Sequence, residues 1–410
     1  MKIAVIGGGI VGICTAYELT QDGHEVSVFE RNTAVAQEAS FACGGHLSAS
    51  LSHPLAFAEP RTSSRFRALL HSSRISLHKG TSLSDLRWLL GWKTRGHDHL
   101  EKLQAAYALA SYSLAHQQML AAQMGLIYEC SEGNMLLWDS EAAWDKHLLR
   151  LAEMKEFGLV SELLTPDQAR AKEPALQADF AFHGASFFPG DAVGNCRQFA
   201  HLLKDKLSQS ATQLHFGCEV AAISQGKGLQ IQTADGASHS FDQLVVCTGG
   251  HLPGLMAKAP PLTKVWSHSL TVPVRESLNA PRSAVQDMHQ RISVARMGDR
   301  VRVTGGAELG ANGTHNDQTL KHLYRTLNTL FPGAADYRRS AQVWKGASFF
   351  TPDGLPLIGA SGAPGIWLNV GHGHNGWSMA CGSARIVADL IANKPVELDT
   401  AKLAAARFST

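Results

Sequence analysis

The order of apolar and polar positions divides the chain into an opening strand–helix–strand unit, a mixed middle and a strand–helix close. Lys2–Ile6 is a short apolar run broken by Gly7-Gly8-Gly9, which predicts a buried strand running into a turn. Val11, Cys14, Ala16 and Leu19 recur at helical spacing between Ile10 and Thr20, and Gly23 closes that helix. Glu25–Phe29 reads as a second strand ending at Glu30. Further helices are predicted over Leu103–Met124, Glu141–Phe157, Arg197–Ser208 and Asp317–Leu330, the last capped by Asp317. Thr165-Pro166-Asp167-Gln168 has the form of a capping box with proline at the first helical position. The period changes to that of strands at Gln213–Phe216, Glu219–Ser224, Leu229–Thr233, Ser238–Phe241 and Gln243–Cys247. Val265–Leu309 reads as antiparallel, with Arg291–Ala295 and Val301–Thr304 folding about Gly298-Asp299. Near the end, strand Ile366–Val370 runs through Gly371-His372-Gly373-His374-Asn375-Gly376-Trp377 into an apolar helix, Ser378–Ala392.

Composition narrows the class. The 410 residues are 44% hydrophobic and 18% charged, enough for two or three domains' worth of core. A formal net charge of +2 gives no electrostatic case for nucleic acid. No apolar run reaches membrane-spanning length, and the first strand starts too early for a signal peptide, so a cytoplasmic protein is expected. Seven scattered cysteines without a CxxC pair fit reduced thiols rather than disulfides or a metal site. Between Arg61 and Lys102, basic residues (Arg61, Arg65, Arg67, Arg74, Arg87, Arg95) interleave with Trp88, Trp92 and leucines. This segment reads either as a solvated helical cover or as a peripheral contact with an anionic membrane face or electron-accepting partner.

Chemistry enters through the glycines. Gly7, Gly9 and Gly12, between two strands and ahead of Glu30, form a dinucleotide fingerprint: tight turn, close approach to pyrophosphate, close helix–strand packing. Glu30 is placed to accept hydrogen bonds from a ribose. The motif by itself does not separate FAD from NAD. The glycine-rich turn at Gly371–Trp377 supplies a second helix N-terminus, and two of these suit a cofactor longer than one phosphate group. The run Ser40-Phe41-Ala42-Cys43-Gly44-Gly45-His46 is a third place where a backbone approaches a ligand.

These stretches, with Val245-Val246-Cys247-Thr248-Gly249, Ser269-Leu270-Thr271-Val272-Pro273, Thr351-Pro352-Asp353-Gly354 and Ser378-Met379-Ala380-Cys381-Gly382-Ser383, resemble the FAD-dependent D-amino-acid oxidase superfamily over nearly the whole chain. The resemblance is strongest to its D-amino-acid dehydrogenase branch. It implies an α/β fold: an FAD-binding Rossmann-like domain of the glutathione-reductase type (1–50, 191–264, 341–410) and an α+β substrate domain with a mostly antiparallel sheet (51–190, 265–340). It implies that Gly7, Gly8, Gly9, Ile10, Val11, Gly12 and Glu30 hold the ADP half of FAD, with Arg31 beside them. Ser40, Gly44, Gly45 and His46 would follow the pyrophosphate and flavin, Val220 the adenine, and Thr248 and Gly249 the ribose and phosphates. Gly346, Gly371, His372, Gly373, Asn375, Gly376 and Trp377 complete the implied set near the flavin. The implied reaction is oxidative deamination of a D-amino acid or related amine by hydride transfer to flavin N5, with electrons passing to a quinone-type acceptor. No catalytic dyad and no metal are implied.

Three pocket positions depart from the family. Ser348 occupies the place of the substrate-carboxylate arginine, His268 that of the substrate tyrosine, and Cys43 that of an asparagine before the glycines. With His46, His372 and His374 they form the candidate substrate pocket. Two kinds of function follow: a dehydrogenase of a D-amino acid, cyclic imino acid or non-standard amine, or a flavoprotein subunit or electron-transfer partner with an altered pocket.

Overall fold

In the computed structural model of this chain, residues 1–52, 75–94, 99–225, 228–251 and 261–408 are described. Of the basic segment, Arg61, Arg65, Arg67, Arg74 and Arg95 lie outside them.

The opening unit forms as the glycine pattern requires. Strands Lys2–Ile6 and Glu25–Glu30 pair in parallel, joined by helix Ile10–Gln21. They are central in a six-stranded sheet ordered Leu357–Ala360, Ile366–Val370, Gln243–Val246, Lys2–Ile6, Glu25–Glu30, Gln213–Phe216. All its pairings are parallel except that of Leu357–Ala360 with Ile366–Val370. Chain ends far apart in sequence therefore meet, because parallel neighbours need long crossovers. Helix Gly376–Ile391 packs on Ile10–Gln21 and on His99–Met124, with Ile13, Ala16, Leu109, Phe199 and Ala384 in one core.

Strands Val220–Gln225, Leu229–Thr233 and Ser238–Phe241 make a separate antiparallel sheet. A ten-stranded sheet runs Gln342–Phe350, Thr263–Pro273, Arg300–Leu309, Ile292–Met297, Ala284–Asp287, Ser131–Trp138, Gly184–Val193, His46–Leu47, with Ser76–Leu77 and Glu162–Leu164 off this path. It is antiparallel but for two pairings. Its apolar face is covered by helix Asp317–Leu330 through Leu323, Leu327 and Leu330.

Several expectations are corrected. Asn316, not Asp317, caps its helix, its side chain accepting from the backbone of Gln318 and Thr319. Strands Ser131–Trp138, Gly184–Val193 and Gln342–Phe350 were not legible: the first is a short apolar run after Gly133-Asn134, the second contains Pro189 and Gly190, and the third does not alternate. Trp88 is buried and donates its indole N–H to Thr351 O at 3.0 Å, so it belongs to the interior rather than to a membrane face. Among the described residues no helix is long and apolar enough to cross a membrane.

Candidate cofactor and substrate site

A cavity of about 590 Å³ opens at the carboxyl ends of the central parallel strands, the position where α/β sheets bind ligands. Its wall carries Gly7, Gly9, Ile10 and Val11 from the first turn and Glu30 and Arg31 from the second strand. Ser40 and Cys43 come from the following loop, Val220 from the small sheet, and Thr248 and Gly249 from the end of Gln243–Val246. Ser348 lies on the ten-stranded sheet, and His372, Gly373, His374, Gly376 and Trp377 on the second glycine turn. Residues up to 371 apart, Ile6 and Trp377 at the extremes, are thus gathered on one surface.

The glycines serve different ends. A Cβ on Gly12 would lie 1.9 Å from Gly7 O, so Gly12 is required for helix–strand packing. Gly7, at φ +110°, would meet Cys247 O at 2.6 Å. A Cβ on Gly9 meets only Ser40 Oγ, at 3.6 Å, so the space Gly9 keeps open is the cavity itself. Ser40 Oγ accepts from Ile10 N at 3.2 Å, tying the loop to the helix N-terminus. The Glu30 carboxylate is buried and accepts from Gly8 N at 2.5 Å and Asn32 N at 2.8 Å. Arg31 pairs with Glu38 at 2.6 Å.

The implied residues Gly8, Gly12, Gly44, Gly45, His46, Gly346, Gly371 and Asn375 are not on the wall. Gly44 abuts the His46 ring and Thr304, and His46 Nε2 bonds Ser293 Oγ at 2.8 Å. Gly371, at φ +76°, donates to Gly249 O at 2.8 Å, joining the two glycine turns. Asn375 Nδ2 donates to Ser52 O at 3.2 Å. Burial lowers the His372 pKa to about 3; burial, then the neighbouring His374, lowers that of His46 to about 4. Both imidazoles are neutral at physiological pH.

A family model for FAD dependent oxidoreductases, DAO, matches residues 2–390. The chain belongs to the DAO family of FAD-dependent oxidoreductases. It is 33% identical to a D-amino acid dehydrogenase of Cereibacter sphaeroides, over all of this chain and 96% of that protein. It is 32% identical to one of Rhizobium rhizogenes, over all of both. Its fold is similar to that of glycine oxidase from Geobacillus kaustophilus, with TM-score 0.76 and 21% identity, covering 99% of this chain and 98% of that one. It is similar also to L-proline dehydrogenase from P. horikoshii, with TM-score 0.77 and 17% identity, covering all of this chain and 97% of that one.

The DAO cofactor is FAD, and the cavity suits it. Asn369 Oδ1, His372 Nε2 and Trp377 Nε1 are buried on residues of the wall with no hydrogen-bond partner among the described residues. A buried polar atom without a partner is costly, so these three await a ligand.

The pocket positions divide. Ser348 and Cys43 are on the wall; His268 is not. His268 is buried in strand Thr263–Pro273, where its Nε2 accepts from Asn316 N at 3.1 Å beside the Lys345–Glu308 ion pair (2.6 Å). Lys264, four residues earlier on the same strand, does line the cavity. Arg296 is bonded to Ser277 at the surface. Arg302 is buried between Thr271 and Cys43 O. Cys196 and Lys264 line the wall without standing in any sequence motif, and strand pairing places Lys264 opposite Phe349.

Proposed function

We propose that this DAO-family enzyme oxidises an amino acid or related amine to its imine, passes electrons to a quinone-type acceptor, and handles simple D-amino acids poorly. The D-amino acid dehydrogenase relatives, matched over their whole length, support the reaction class. Bound FAD supplies the hydride-accepting chemistry. Of the residues implied for its site, Gly7, Gly9, Ile10, Val11, Glu30, Arg31, Ser40, Val220, Thr248, Gly249, His372, Gly373, Gly376 and Trp377 are on the wall, where the glycine turns would give backbone N–H groups to phosphate and helix Gly376–Ile391 would present its N-terminus.

The observation that carries the substrate reading is Ser348 on the wall, beside Phe349, where the resemblance expects an arginine. A serine hydroxyl binds a carboxylate without charge and without a bidentate fork, so orientation toward the cofactor is weaker. Neutral His372 and His374 add no cation, since burial lowers both pKa values. The cation nearest in register is Lys264, opposite Phe349 across the sheet, with its ammonium 4.3 Å from the Trp266 ring centre. Lys264 lines the cavity and supports a second reading, in which a longer substrate reaches its carboxylate to that ammonium.

Losing one charge-assisted hydrogen bond costs about 1.5–3 kcal/mol, or roughly one to two orders of magnitude in kcat/KM for D-alanine. Anaerobic bleaching of the flavin absorbance by a panel of amines tests this. Slow bleaching by D-alanine in wild type and a gain of at least about tenfold in Ser348→Arg are expected. Rapid D-alanine oxidation unchanged by Ser348→Arg overturns the pocket reading, and no bleaching by any amine overturns the reaction class.

A further inference from the structure

The cavity wall contains two thiols that the cofactor reading does not use. Cys43 lies in the loop after Ser40, and Cys196 is the first residue of helix Cys196–Ser208, whose cap is Asn195. The sheet brings them together. His46 pairs with Val193 and Leu47 with Ala192, and Gly194 N donates to Gly45 O at 2.8 Å. Two residues beyond that bond on each chain, outside the paired strands, stand Cys43 in the loop and Cys196 at the helix start. The thiols share a side-chain hydrogen bond, and the buried Arg302 guanidinium donates to Cys43 O at 3.0 Å.

We propose that Cys43 and Cys196 form a reversible dithiol–disulfide couple in the wall of the cofactor cavity, oxidised by hydroperoxides. The Cys43 thiolate attacks the peroxide oxygen; the O–O bond breaks, leaving a sulfenic acid and, with a proton, water. The Cys196 sulfur then attacks the sulfenic sulfur, the S–S bond forms, and the hydroxyl leaves with the Cys196 proton as a second water. Two thiols and one hydrogen peroxide thus give one disulfide and two waters. The hydrogen bond from Cys196 lowers the Cys43 pKa to about 7 against the cost of burial, and the Arg302 charge assists. Cys196 is held well above the ordinary thiol value, first by burial, so Cys43 attacks first and Cys196 resolves. The bond would fasten the loop that carries Ser40 to the helix start at Cys196.

A second pair serves as an internal control. Cys14 and Cys381 have sulfurs 3.6 Å apart, but both are buried between helices, where burial raises the Cys14 pKa far above the ordinary value. Proximity alone predicts that this pair oxidises; its place off the cavity wall, away from a peroxide's approach, predicts that it does not.

The test treats the purified flavin-containing protein with hydrogen peroxide at pH 7. Two of the seven free thiols should be lost and recovered with dithiothreitol, and non-reducing peptide mapping should join the Cys43 and Cys196 peptides. In Cys196→Ser, dimedone should trap a sulfenic acid on Cys43. Cys43→Ser should lower the rate of thiol loss at least about tenfold, since few other thiols are ionised at this pH. A crosslink between Cys14 and Cys381 instead, oxidation of Cys43 without a crosslink, or unchanged thiol loss in Cys43→Ser overturns the proposal.

Discussion

Gly9 and Gly12, three residues apart in one motif, guard different things. Gly9→Val should strip flavin while leaving the apoprotein's unfolding transition nearly unmoved, because the added side chain meets only Ser40 and the cavity. Gly12→Val should destabilise the apoprotein itself by several kcal/mol, about 3 or more, because its Cβ collides with Gly7 O. Flavin absorbance and chemical denaturation of both variants separate the two roles. The buried histidines give a pH signature. His46 at about 4 and His372 at about 3 lie below the unfolded value of 6.5. Between these limits the unfolded chain binds protons that the folded chain refuses. Their contribution is therefore fully present above pH 6.5 and is lost as pH falls toward 4 and 3, with a slope of up to about 1.4 kcal/mol per pH unit for each histidine. His46→Gln should flatten that slope in urea unfolding between pH 6.5 and 4, and an unchanged slope would assign it to other groups.

Helices Asp317–Leu330 and Gly376–Ile391 show how packing between elements holds the site. Leu327 is fully buried between its helix and the ten-stranded sheet. Leu327→Ala should cost about 2–5 kcal/mol by leaving a cavity there, read as a lower denaturation midpoint with the flavin spectrum of the folded protein unchanged. Helix Gly376–Ile391 approaches His99–Met124 so closely at Gly382 that a Cβ would lie 2.7 Å from Ser113 Cβ, and Gly382 N donates to Ser113 Oγ at 2.9 Å. Local signals were readable in proportion to how local their causes are. The Thr165–Gln168 capping box forms both reciprocal hydrogen bonds, since every partner lies within four residues. The cap one residue before Asp317 was misassigned because Asn and Asp compete equally for that role.

At the scale of the molecule, the cavity proposed for FAD draws its walls from the six-stranded sheet, the small sheet and the ten-stranded sheet. FAD binding should stabilise all three together. Saturation at about 100 times Kd adds roughly 2.7 kcal/mol, so removing the flavin should lower Tm in one cooperative step. Separate transitions for separate parts of the chain would contradict this.

The dinucleotide turn, the acid at Glu30, the second glycine turn and the family itself were determined by sequence alone. Each depends on residues a few positions apart whose backbone demands only glycine or an acid satisfies. The burial of His268 in its strand, the placing of Lys264 opposite Phe349, and the approach of Cys43 to Cys196 were decided by tertiary structure. Those facts rest on which strands pair and in what register. A shift of one residue reverses every side chain's face, and no short window of sequence carries the register between partners 71 to 147 residues apart.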